Sequence, residues 1–137
     1  MISVIFGKKG SGKTKKIIDL ASQAVTSPNG DIVFIGDDNR YMYDLSHEVR
    51  FINASDFKLN DTRMLFGFLN GIIAGDFDVD LIFIDGFLKI VRTDLTQLES
   101  FFTDLNILSE KMNIKFIISV SGDPATTPDY MKQYLMH

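Results

Sequence analysis

Residues 7–14 read Gly-Lys-Lys-Gly-Ser-Gly-Lys-Thr, a G-x-x-x-x-G-K-T spacing. Three glycines without a Cβ let the backbone bend and approach an anion closely. Several N–H groups then form a concave nest at the positive end of whatever helix follows. The Lys13 ammonium is a point charge for the β- and γ-phosphates of a nucleotide. The Thr14 hydroxyl is a hard oxygen ligand for a magnesium ion bridging the same phosphates. The expected nucleotide-binding set is Gly7, Lys8, Lys9, Gly10, Ser11, Gly12, Lys13, Thr14 and Lys15. Lys15 and its neighbour Lys16 also fit as solvated residues on a helix face.

This chemistry needs a strand before the loop and a helix after it. Ile2 to Phe6 is a β-branched and aromatic run that stops at Gly7, and Ile17, Ile18, Leu20, Ala21, Ala24 and Val25 recur at helical spacing. A second stretch, Asp80-Leu-Ile-Phe-Ile-Asp85, is four apolar residues ending in an acid. It suits a strand buried on both faces, with the carboxylate emerging at its end.

Gly7–Thr14 resembles the Walker A motif of the P-loop NTPases, and Asp80–Asp85 resembles their Walker B motif. The resemblance implies a parallel sheet flanked by helices, with a nucleoside triphosphate at the carboxyl ends of the strands. It also implies that Asp85 and Thr14 share the magnesium ion.

Along the chain, the first helix is expected to end near Thr26 at the turn cluster Ser27-Pro28-Asn29-Gly30. Asp31–Gly36 reads as a buried strand running into Asp37-Asp38-Asn39-Arg40. That run suits a polar turn, or a ligand site at a strand's carboxyl end. Tyr41–His47 fits a short helix or a loop, and Glu48–Asn53 a short edge strand. Asn60, Asp61 or Thr62 caps a helix to about Ala74, closed by Gly75. Met64, Leu65, Phe66, Phe68, Leu69, Ile72 and Ile73 exceed one apolar stripe, so that helix is expected to be largely buried or to dock on another chain. Thr93 or Asp94 caps a long helix to about Met112, Lys115–Ser121 is another buried strand, and Pro128 opens a last short helix. Strands and helices alternate throughout. The expected fold is α/β: a three-layer α/β/α sandwich with a mostly parallel central sheet.

Within the superfamily, the spacing of GTPases is missing. Glycine stands one residue after Asp85 rather than three, and no Asn-Lys-x-Asp occurs. Adenine is therefore the expected base. The four arginines, Arg40, Arg50, Arg63 and Arg92, are scattered and form no arginine-rich lid of the kind nucleotide kinases carry. The order of elements resembles the RecA-like branch, which implies that Phe116–Ser121 lies between Ile2–Phe6 and Leu81–Asp85. It also implies that Ser119 or Ser121 senses the γ-phosphate; either hydroxyl alternatively caps a strand end. Many ATPases of that branch place a glutamate after the Walker B acid, but this chain has Gly86 there. RecA itself carries its catalytic carboxylate at the end of a neighbouring strand, a position occupied here by Asp37 and Asp38. No arginine is placed by sequence to act in cis, so efficient turnover would call for one supplied in trans by a second copy or a protein partner.

The 137 residues suit one minimal nucleotide-binding domain spanning 1–137, and 45% apolar with 23% charged residues is the balance of a globular chain. A net charge of −4 carries no broad basic field, so a nucleic-acid partner is not expected. The absence of cysteine rules out disulfides and thiolate metal sites, and no apolar run reaches the ~20 residues of a membrane span. These features lead to an expected cytoplasmic location. Three functions fit: a weak or partner-stimulated ATPase, a phosphotransferase acting on a nucleoside or other small hydroxyl, and a nucleotide-dependent interaction module without turnover. ATP and Mg²⁺ are the expected ligands of all three.

Overall fold

The computed structural model describes residues 1–26 and 30–136. The expected turn at Ser27–Asn29 lies outside them. Five strands form one sheet: β1 (Ile2–Gly7), β2 (Asp31–Gly36), β3 (Val49–Asn53), β4 (Val79–Ile84) and β5 (Lys115–Ser121). Every pairing is parallel, and the order is β1-β5-β4-β2-β3. The strand Lys115–Ser121 therefore lies between the strand feeding the glycine-rich loop and the strand ending at Asp85. That is the placement the resemblance implied.

Parallel strands buried on both faces read as near-continuous apolar runs, and β2, β4 and β5 carry them at Ile32–Ile35, Leu81–Ile84 and Phe116–Ile118. On one face, Ile5, Ile32, Phe34, Phe83 and Ile117 pack under α1 (Lys13–Ala24) through Ile17 and Ala21. On the other, Val33, Ile35, Ile82, Ile84, Phe116 and Ile118 form the larger core with α2 (Thr62–Gly75), α3 (Phe87–Val91) and α4 (Glu99–Met112). The result is the three-layer α/β/α sandwich.

The helices depart from the sequence expectation in three places. Asp94 does not start the long helix. Its carboxylate accepts from the Thr96 N–H at 3.0 Å and the Thr96 hydroxyl at 3.1 Å, which holds Leu95–Gln97 in a separate 3-10 turn. α4 begins at Glu99, after buried Leu98. The one-turn helix α3 was not expected at all, although Phe87, Ile90 and Val91 are its three buried residues. After Pro128 the chain forms 3-10 turns over Asp129–Tyr134, and Leu135 then bridges to Val4 beside β1. The Tyr130 hydroxyl donates to the Leu95 carbonyl, and burial pushes its pKa up to about 12.

The apolar excess of α2 divides by depth. Asp61 caps the helix, accepting from the Met64 N–H at 2.8 Å, and Leu65, Leu69 and Ile73 are buried. Phe66, Phe68 and Ile72 are half-buried, and Met64 is exposed. No helix of the described residues is long and apolar enough to cross a membrane.

The parallel register sets the site. Gly7 pairs with Ser121, Ile84 with Ile118 and Ile35 with Ile84. The carboxyl ends of β1, β5, β4 and β2 therefore lie along one edge of the sheet, bringing Gly7, Ser121, Asp85 and Asp37 to the same side of the molecule. In open α/β sheets this is the edge at which ligands bind.

Candidate functional site

The loop between β1 and α1 takes its shape from two glycines in the left-handed region, Gly10 at φ +82° and Gly12 at φ +90°. Gly7 is needed for a different reason. A Cβ there would lie 2.7 Å from the Ser11 hydroxyl, so a larger residue would require the Ser11 side chain to turn away. The Ser11 N–H donates to the Lys8 carbonyl at 3.1 Å, and the Lys13 ammonium reaches the same carbonyl at 2.9 Å. Lys13 is thus folded over the loop at the start of α1. Burial holds its pKa below the ordinary lysine value, a shift that Asp85 opposes and the nearby Lys89 reinforces.

Beyond the loop lies a cleft of about 510 Å³. Lys9, Gly10, Gly12, Lys13, Thr14 and Lys15 line it, so Lys15 faces the site rather than open solvent alone. Gly7, Lys8 and Ser11 line a separate hollow of about 600 Å³, together with Lys16.

Asp85 is buried one residue past β4 and is held from both sides. Its Oδ1 accepts from the Ser119 hydroxyl at 2.5 Å, and that hydroxyl accepts from the Gly86 N–H at 2.9 Å. Its Oδ2 accepts from the Thr14 hydroxyl at 3.3 Å. Two hydroxyl partners, one on each oxygen, fix the orientation of this buried carboxylate. A hydroxyl and a carboxylate oxygen, side by side at the mouth of the cleft, are the hard-oxygen donors that magnesium prefers. Ser119 is 2% exposed and spends its hydroxyl on Asp85, whereas Ser121 is exposed on the cleft wall.

The two aspartates after β2 separate. Asp37 lines the cleft, and burial raises its pKa above the ordinary carboxylate value; Asp38 adds to the shift and Lys89 opposes it. Asp38 turns to Arg40 instead, accepting from its N–H at 2.9 Å and its guanidinium at 2.8 Å. Those contacts hold the Asp38 pKa below the usual range. Arg40 also lines the cleft, with its guanidinium 5.6 Å from the centre of the Tyr41 ring. One arginine therefore stands at the site in cis, which the sequence spacing did not indicate.

Lys89 is the other residue that sequence reasoning missed. It sits on α3, lines the cleft, and acts electrostatically on both Lys13 and Asp37. Its signal was available: a lysine four residues after Asp85, inside a short Phe-x-x-Ile-Val helical pattern.

Gly86 also acquires a structural reason. It lies at φ +70°, and a Cβ there would meet Asp37 Oδ1 at 2.7 Å. Gly86→Glu should therefore lose about 1–3 kcal/mol of stability through backbone strain and crowding of Asp37, read as a lower denaturation midpoint. A glutamate at this position should not raise turnover.

No protein-family model matches the sequence, and no curated protein matches it. Among solved structures, the chain is similar to the flagellar accessory protein FlaH from Methanocaldococcus jannaschii, with 16% identity and a TM-score of 0.53. The match covers 95% of this chain and 64% of that one. At this identity the likeness concerns the fold, which is α/β with a parallel sheet.

Proposed function

We propose that the chain binds ATP with magnesium in the cleft beside the Gly7–Thr14 loop and hydrolyses it slowly. The observation that carries this reading is the convergence of Lys13, Thr14 and Asp85 on one cleft, beneath a loop opened by two left-handed glycines. Gly10, Gly12 and the N-terminus of α1 cradle the phosphates through backbone N–H groups. Lys13 neutralises the β- and γ-phosphates. Thr14 and Asp85 hold magnesium, which when bound supplies charge neutralisation between those phosphates.

Asp37 takes the proton from the attacking water, and its raised pKa brings it nearer the range in which a base works at neutral pH. Ser121 contacts the γ-phosphate end of the ligand, while Ser119 positions Asp85 and Gly86. Slow turnover follows from the base: an aspartate has a shorter reach than the glutamate that Gly86 replaces. A cation acting on the leaving phosphate comes from Lys89 or Arg40 in cis, or from an arginine of a partner in trans. The cytoplasm, where ATP is plentiful, is the proposed compartment.

Phosphotransfer to a small hydroxyl is the second reading. It draws on the fact that Asp37 and Lys89 also line an adjoining hollow. Phosphate release from ATP, followed with and without Mg²⁺, tests the first reading. Slow, magnesium-dependent release is expected. Tight binding without release would instead favour a nucleotide-dependent interaction module.

A further inference from the structure

Asp37 and Lys89 also line an adjoining cavity, of about 300 Å³, that no residue of the glycine-rich loop lines. That volume stands at the lower edge of the ~300–1,000 Å³ typical of small-molecule sites. Buried Leu59 and Ile90 line it together with Asp37 and the exposed cations Lys58, Lys89 and Arg92. Three cations and one carboxylate leave an excess of two positive charges, in a chain whose net charge is −4. The ion pairs among the described residues are Arg40–Asp38 and Lys132–Asp129, so none of the three cations is paired with an acid.

The backbone at two of these cations is unusual. Lys58 and Arg92 lie at φ 55° and 54°, each closing a turn. The Lys58 N–H donates to the Ala54 and Ser55 carbonyls, and the Arg92 N–H to that of Leu88. Such closing positions are ordinarily filled by glycine or asparagine. Non-glycine residues held there concentrate at functional sites.

We propose that this cavity binds the phosphate group of a small phosphorylated molecule, a ligand separate from the nucleotide. The excess of two positive charges matches a phosphate monoester, which carries −1.5 to −2 near neutral pH. The Arg92 guanidinium supplies the forked donor that suits phosphate oxygens, and the two lysines add point charges. Asp37 and Lys89 face both cavities, so the two ligands meet across them. The simultaneous occupancy of both cavities rests on the ATP reading above; the phosphate site does not.

Inorganic phosphate titrated into the full chain, with and without a saturating non-hydrolysable ATP analogue and Mg²⁺, tests the proposal by backbone amide NMR. The expected result is saturable shifts at Lys58–Asn60 and Ile90–Arg92 that persist with the analogue present. In Lys58→Gly/Arg92→Gly the phosphate Kd should rise about 10-fold or more. Glycine is at ease at both φ values, so the fold is retained. The charge-keeping Lys58→Arg, which leaves the Arg92 fork in place, should bind within a few-fold of wild type. Shifts confined to Gly10–Lys15, or a phosphate Kd indifferent to the glycine pair, would overturn the site. An analogue that leaves Gly10–Lys15 unmoved would instead strike the nucleotide reading and leave the phosphate response to be judged on its own.

Discussion

Lys13→Ala should weaken binding of ATP·Mg²⁺ by about 10-fold or more, because a charge-assisted contact of ~1.5–3 kcal/mol is removed. The fold should survive the change. Burial lowers the Lys13 pKa, so its charged form is less favourable in the folded chain than in the unfolded one. That penalty is present at every pH below the folded pKa and disappears as the ammonium deprotonates. Removing the side chain removes the penalty together with the hydrogen bond to the Lys8 carbonyl. The melting temperature of the unliganded variant should therefore stay close to that of wild type, while a calorimetric titration with ATP·Mg²⁺ shows the loss. A variant that melts normally and binds as tightly as wild type would remove Lys13 from the site.

Asp37→Asn should lower turnover by about 100-fold or more, the lower end of what a positioned general base contributes. Affinity for ATP should change little, since Asp37 makes no proposed contact with magnesium or the loop. Its pKa is raised first by burial and then by Asp38. The sign for stability follows directly. A carboxyl whose folded pKa exceeds its unfolded value is fully tolerated below the unfolded value, near 3.8, and costs stability as pH rises through the folded pKa. Asp37→Asn should thus melt at or above the wild-type temperature at pH 7, with the difference closing at lower pH. The same shift places the acid limb of the wild-type pH–rate profile above the ordinary aspartate range. Unchanged turnover in this variant would move the base elsewhere.

Much of the frame was legible because it rests on long, consistent signals. Ile2–Phe6, Ile32–Ile35, Leu81–Ile84 and Phe116–Val120 are apolar at nearly every position, as strands of a parallel sheet covered on both faces are. The placement of β5 between β1 and β4 came from resemblance, since no local signal encodes which strands pair.

Choices that depend on register or on a single turn were not legible. Ser119 and Ser121 both follow an apolar run, and both fall on the same face of β5 in a period-two pattern. Only the pairing of β4 with β5 puts Ser119 level with Asp85 and leaves Ser121 at the rim. Asp37 and Asp38 are equivalent as letters, and the short loop from Asp38 to Arg40 decides that one turns to the cleft and the other away. Lys89 escaped notice because its only signal is the brief Phe-x-x-Ile-Val pattern of a five-residue helix, too short to stand out from a loop. The split at Leu98 turned on how Asp94 uses its carboxylate, as the cap of a brief 3-10 turn rather than of the long helix.

The most direct test of the central claim is calorimetric titration of the wild-type chain with ATP, in the presence and in the absence of Mg²⁺. The expected result is one saturable site whose affinity rises with magnesium, because Thr14 and Asp85 then hold the ion against the phosphates. No saturable heat with ATP under either condition would contradict the assignment of the Gly7–Thr14 loop as a nucleotide site.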